Sequence, residues 1–147
     1  MCRKKSNLPA LKFTVIKFHM SKQIIQTNMA PAPIGPYSQA VKTGDLIFIS
    51  GQVCIDPSTG DLINSSIATE TTQVMKNLHA ILTEAKINFN HVVKTTIFLT
   101  DMQLFAEVNE IYSGYFTGDF PARETVAVKG LPKNVNVEIS MIAVMHL

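Results

Sequence analysis

The sequence predicts an α+β domain in which two α-helices cover one face of a mixed β-sheet. Three observations carry this. Alternating or β-branched segments, typical of strands, occur near both ends of the chain and once in its middle. Two segments with apolar residues at helical spacing interrupt them. The resulting order is strands, helix, strand, helix, strands, which leaves the second face of the sheet without a helix to cover it.

Residues 23–27 form a short edge strand. Residues 28–36 contain Pro31, Pro33, Gly35 and Pro36 and therefore belong to an ordered loop rather than a helix interior. Residues 37–41 and 46–50 flank the turn signature Lys42-Thr43-Gly44-Asp45 and read as a hairpin. A second turn spans residues 56–61. The first helix covers residues 66–86, with Ile67, Val74, Leu78, Ile81, Leu82 and Ala85 on one stripe and Ser65 or Ser66 as cap. Residues 91–100 alternate as a strand. Asp101 caps a second helix over residues 103–115, whose stripe is Leu104, Phe105, Val108, Ile111, Tyr112 and Tyr115. Residues 123–128 and 136–144 are the closing strands, joined through Gly130, Leu131 and Pro132.

Composition narrows the function. The chain has 147 residues, 46% apolar and 16% charged, enough to bury one core. No apolar run is long enough to span a bilayer. The net charge is +2, and much of it comes from Arg3, Lys4, Lys5, Lys12 and Lys17, so no basic folded face points to nucleic acid. Cys2 and Cys54 have neither metal-ligand nor disulfide spacing, and Cys54 reads as a small core residue in a reducing, cytoplasmic setting. His79 has no second histidine at metal spacing. Residues 1–20 differ from the rest. They are basic and acid-free, and they read as an extension ahead of a single domain over residues 21–147. A mitochondrial or plastid presequence is the alternative, opposed by Pro9 and the single arginine.

Alternation divides the closing strands into faces. Val135, Val137, Ile139, Met141 and Ala143 suit the helix side, with Asn136, Glu138 and Ser140 opposite. On the preceding strand, Val126 and Val128 are placed under the helices and Arg123, Thr125 and Ala127 on the open side. If the two strands pair, one open face carries a guanidinium, a hydroxyl and a carboxylate. The same pattern also suits a cross-strand ion pair on a solvated face, worth less than about 1 kcal/mol. Ala127, Ile142 and Val144 make that face partly apolar, which favours cover by another copy of the chain.

Four segments resemble the Rid, or YjgF-like, family. They are Ala32-Pro33-Ile34-Gly35-Pro36-Tyr37-Ser38-Gln39-Ala40, Ile49-Ser50-Gly51-Gln52, Phe105-Ala106-Glu107-Val108-Asn109, and Phe120-Pro121-Ala122-Arg123 followed by Val137-Glu138-Ile139. The likeness runs in order from about Ser21 to the C-terminus. It implies a chorismate-mutase-like fold and a homotrimer with inward-facing sheets and sites in the subunit clefts. The implied activity is that of a 2-iminobutanoate/2-iminopropanoate deaminase, which hydrolyses 2-aminoacrylate and related imines to 2-keto acids and ammonia without metal or pyridoxal phosphate.

Carried over by position, Arg123 grips the substrate carboxylate, and Glu138 orients water or relays a proton. Tyr37 completes the catalytic set. Ser50 and Asn109 supply hydrogen bonds, and Gly51 permits close backbone approach. Thr125 stands where many members have cysteine, and Glu124 replaces a small residue. Two other readings remain. One is an endoribonuclease and translation inhibitor, although the sequence offers neither a histidine pair nor a basic, aromatic face for RNA. The other is a non-enzymatic module that binds a small carboxylate.

Overall fold

The computed structural model describes residues 21–147. The expectations for residues 1–20, whether extension or presequence, lie outside the described residues. The elements are β1 (Lys22–Ile25), β2 (Ala40–Thr43), β3 (Leu46–Gln52), α1 (Ile67–Glu84), β4 (Val92–Leu99), α2 (Phe105–Ser113), β5 (Ala122–Ala127) and β6 (Val137–Val144). They build one six-stranded sheet in the order β1-β2-β3-β6-β4-β5. Every neighbouring pair is antiparallel except β4 and β5, which run parallel. The mixed α+β sheet is the expected one.

Local signals explain most boundaries. Gly44, at φ 56°, takes the left-handed position of the β2–β3 turn that a β-carbon would disfavour. Ser66 caps α1 through a reciprocal box: its side chain accepts from Thr69 N at 3.2 Å, and Thr69 Oγ1 accepts from Ser66 N at 3.0 Å. Asp101 does cap a helix, but the first turn it caps is a 3₁₀ turn over Met102–Leu104, and the α-helix begins only at Phe105. The strand expected from residue 37 begins at Ala40, because the Pro-rich loop continues to that point.

The core lies between the sheet and the two helices. Val74, Met75, Leu78, Ile81 and Leu82 of α1 meet Ile47, Ile97, Leu99, Val137, Ile139 and Met141 of the sheet, all essentially inaccessible. Each such side chain contributes roughly 1.5–3 kcal/mol on burial. Cys54 is fully buried, and burial, followed by the neighbouring Glu70 carboxyl, raises its thiol pKa to about 11. His79 is exposed and stacks on Phe89 at 5.9 Å between ring centroids. No described helix is long and apolar enough to cross a membrane.

Two expectations are corrected here. β5 and β6 do not pair, because β4 lies between them. The faces of β5 are also the reverse of those expected. Arg123, Thr125 and Ala127 register with Thr95, Ile97 and Leu99, the inward row of β4, so they lie on the helix side. Glu124 and Val126 register with Thr96 and Phe98 on the open side. The cause is physical: β5 is an edge strand whose residues are all exposed or half-exposed, so burial imposes no alternation on its sequence.

The open face remains apolar. Ile24, Leu46, Phe48 and Val126 are each more than 40% exposed there, with Val41, Phe98, Ile142 and Val144 half-buried among them. At its β4–β5 end, Lys94 Nζ lies 2.5 Å from Glu124 Oε2, and Thr96 Oγ1 donates to Oε1 at 2.9 Å. The hydrogen bonds from Lys94 and Thr96 hold the Glu124 pKa below its usual range.

Candidate active site

The candidate residues gather in two places. Tyr37, Ser50, Gly51 and Glu138 line a cleft of about 270 Å³, closed on its other sides by the Pro-rich loop and by Pro132 and Lys133. Arg123 and Asn109 line a second depression, of about 350 Å³, with Tyr112 and Phe120 between α2 and β5. Arg123 registers with Thr95, and Glu138 with Phe98 on the far side of β4. Strand geometry puts their Cα atoms about 14 Å apart, with side chains on opposite faces. Within one chain the expected Arg123–Glu138 pair does not form.

The cleft depends on a fault in the β3–β6 ladder. Pairing is regular to Ile49↔Met141 and resumes at Gln52↔Ile139, so Ser50 and Gly51 fall in the irregular stretch. Ser50 N turns to the Gln39 carbonyl at 3.0 Å, and its hydroxyl donates to the Ser38 carbonyl at 2.7 Å. With its proton committed to that carbonyl, the Ser50 oxygen is left free to act only as an acceptor in the cleft. Gly51 is required by contact: a β-carbon there would collide with the Glu138 carboxyl, 2.7 Å from its Cδ and 2.9 Å from its Cγ. Glu138 makes no hydrogen bond to another described side chain, and burial raises its pKa above the usual carboxylate value.

The Pro-rich wall hangs on one side chain that sequence reasoning passed over. Gln39 is buried; its Oε1 accepts from Thr27 N at 2.7 Å. Its Nε2 donates to the carbonyls of Thr27, Ala30 and Pro31 at 3.0, 3.1 and 2.8 Å. A buried glutamine satisfied entirely by loop backbone fixes a segment that has no ladder of its own. Tyr37, 48% exposed, stands at the end of that segment.

The second cluster is a cation on display. Arg123 NH1 donates to Asn109 Oδ1 at 2.7 Å, and the guanidinium lies over the rings of Phe105 and Tyr112 at 5.5 and 5.1 Å. These two aromatics, assigned to the core from their spacing, also orient the cation. Among the described residues no carboxylate lies within ion-pair distance of Arg123. Asn109 thus touches the arginine directly, so in this chain it positions the cation. Thr125, two residues along the same face, keeps a buried hydroxyl with no partner among the described residues. Glu124 faces away, as alternation requires, and is engaged by Lys94.

Residues 27–145 match the family model described as endoribonuclease L-PSP. The chain belongs to the RidA/YjgF family. A mouse protein named 2-iminobutanoate/2-iminopropanoate deaminase is 51% identical over 123 residues, covering 84% of this chain and 91% of the relative. A RutC family protein of Pyrococcus abyssi is 49% identical over 124 residues, 84% of this chain and 98% of that one. The crystal structure of RidA from an Antarctic Psychrobacter superposes with a TM-score of 0.80 at 43% identity, covering 83% of this chain and 98% of its own. Within the RidA/YjgF fold, none of the described histidines, His79, His91 and His146, lines either residue cluster.

Proposed function

We propose that this RidA/YjgF protein hydrolyses 2-imino acids, 2-iminobutanoate and 2-iminopropanoate among them, to 2-keto acids and ammonia. We further propose that each working site joins the Glu138 cleft of one copy to the Arg123 cluster of another. The observation that carries this is the separation of the two clusters. A carboxyl raised in pKa and lacking a cation, and a cation lacking a carboxylate, lie on opposite faces of one sheet. Neither suffices alone. The apolar open face and the unpaired edge of β5 support closure into a homotrimer, which would bury that face reciprocally. The name of the mouse relative supports the substrate class.

The chemistry asks little of the protein. The imine carbon is already electrophilic, so positioning and proton transfer suffice. Arg123 binds the substrate carboxylate bidentately, held in aim by Asn109 and two rings, with the Thr125 hydroxyl beside it. Glu138 takes a proton from water as its oxygen bonds to the imine carbon. It then returns the proton to the nitrogen of the tetrahedral adduct. The adduct's hydroxyl proton then passes through the same carboxylate to the nitrogen as the C–N bond breaks, which releases ammonia and leaves the carbonyl of the keto acid. A pKa raised by burial brings Glu138 nearer to the operating pH for both transfers. Tyr37 and Ser50 supply hydroxyl contacts at the cleft wall.

Subunit mixing tests the shared site. Arg123→Ala and Glu138→Gln are each expected to lose turnover of freshly generated 2-iminobutanoate. Unfolded and refolded together in equal amounts, they should regain about one quarter of the wild-type rate, because random assembly joins the two intact halves at that frequency. No recovery, in mixtures shown by light scattering to be trimeric, would place both halves in one copy. A monomer would remove the trimer. Binding of 2-keto acid without turnover of any imine would leave the module that binds a small carboxylate.

A further inference from the structure

We propose that Glu70, on α1 and therefore beneath the opposite face of the sheet, is a positioning residue for Glu138 and for the loop that walls its cleft. This rests on the reading of Glu138 as the proton carrier. Glu70 is fully buried. Its Oε1 accepts from Asn136 N and from Val137 N, the latter at 3.2 Å, and its Oε2 accepts from Asn136 Nδ2 at 3.1 Å. Asn136 and Val137 immediately precede Glu138. Three donors converging on one carboxyl fix where β6 leaves the loop, and so where the Glu138 side chain begins.

The loop itself needs that anchor. Lys133 and Asn134 both sit in the left-handed region, at φ 60° and 56°. Two consecutive non-glycine residues there cost about 1 kcal/mol each and persist only where their surroundings over-determine them. Pro132 fixes one end by its ring, and the Glu70 contacts with Asn136 and Val137 fix the other. Pro132 and Lys133 line the cleft together with Glu138. Glu70 also lies against Cys54, three residues beyond Gly51. One buried side chain therefore braces the backbone that leads into Glu138.

An amide is a poor substitute. All three partners of Glu70 donate N–H, so replacing Oε2 with NH₂ sets donor against donor. To relieve this the Asn136 amide must turn over and its contact with Thr100 Oγ1, 2.9 Å from Asn136 Oδ1, must reverse from accepting to donating, so the entry to β6 is rearranged rather than kept. Glu70→Gln keeps volume and shape and tests position without emptying the core.

The experiment is a double-mutant cycle on the full-length protein, with 2-iminobutanoate generated in situ. Glu70→Gln should lower kcat roughly tenfold with KM nearly unchanged, because a small displacement of a proton carrier acts on the chemical step. In a Glu138→Gln background the same change should have no further effect on kcat. Wild-type kcat in Glu70→Gln overturns the inference. So does a tenfold loss that persists undiminished beside Glu138→Gln, which would make Glu70 a support of the fold alone. Wild-type turnover in Glu138→Gln would instead overturn the functional reading, and this inference with it.

Discussion

The Glu138 cleft and the Arg123 depression are built by opposite means. The cleft relies on absence: Gly51 lacks a side chain so that a carboxyl can lie against backbone, and burial then favours its neutral form. The depression relies on presence. An amide and two aromatic rings hold an exposed guanidinium without neutralising it. A cation kept charged suits recognition of a fixed anion, whereas a carboxyl whose pKa is raised by burial suits proton exchange. On the proposed reading, these tasks, placed apart on one chain, are joined by a second copy.

Removing each element should separate these roles. Glu138→Gln is expected to lower kcat by at least about 100-fold, the usual contribution of a positioned proton carrier. Binding of a keto-acid product should survive, as read by calorimetry. Arg123→Ala should act on both parameters, because affinity and orientation are lost together. A charge-assisted bidentate contact of about 2–4 kcal/mol corresponds to a drop of roughly 30- to 1000-fold in kcat/KM. Wild-type rates in both folded variants would make the two clusters surface features of no catalytic consequence.

Gly51→Ala probes the cleft from its backbone side. The new methyl group meets the Glu138 carboxyl and must expel it, so activity should fall at least about tenfold while the fold persists. Full activity would show that Glu138 works from another position.

Stability should register the same burial. A carboxyl whose pKa is raised on folding contributes stability that is fully present below its unfolded pKa and lost as pH rises through the folded value. Glu138 therefore weakens the fold at neutral pH relative to an uncharged isostere. Glu138→Gln should raise Tm at pH 7, and the gain should shrink towards pH 4. An equal gain at both pH values would remove burial as the cause.

The two regions were also unequally legible in the sequence. The core could be read because Val137, Ile139 and Met141 alternate with polar residues and α1 carries a clean stripe. On β5 nothing is deeply buried, so composition gave no face, and its pairing with β4 rather than β6 is a long-range choice that local pattern does not encode. The site residues came from motif likeness, and it could not show that they divide into two clusters. Glu70 left a signal that went unused. It falls on the buried stripe with Val74 and Ile81, where an acidic residue demands a partner.

The smallest expected effect belongs to Glu124, the immediate neighbour of Arg123 in sequence. A carboxylate beside an anion-binding arginine would ordinarily weaken its ligand. Here strand alternation sends Glu124 to the open face, where Lys94 and Thr96 engage it, while Arg123 turns to the helix side. The sheet itself stands between the two charges, and exposed charges at such separations are largely screened. Glu124→Ala should therefore change KM for the imino acid by less than about twofold at physiological salt. Its effect should appear instead in assembly, because the open face loses a polar pair and becomes more uniformly apolar. Sedimentation at rising salt would read that change. A several-fold fall in KM would show that Glu124 does reach the anion site, and that the two faces of β5 are not insulated from each other.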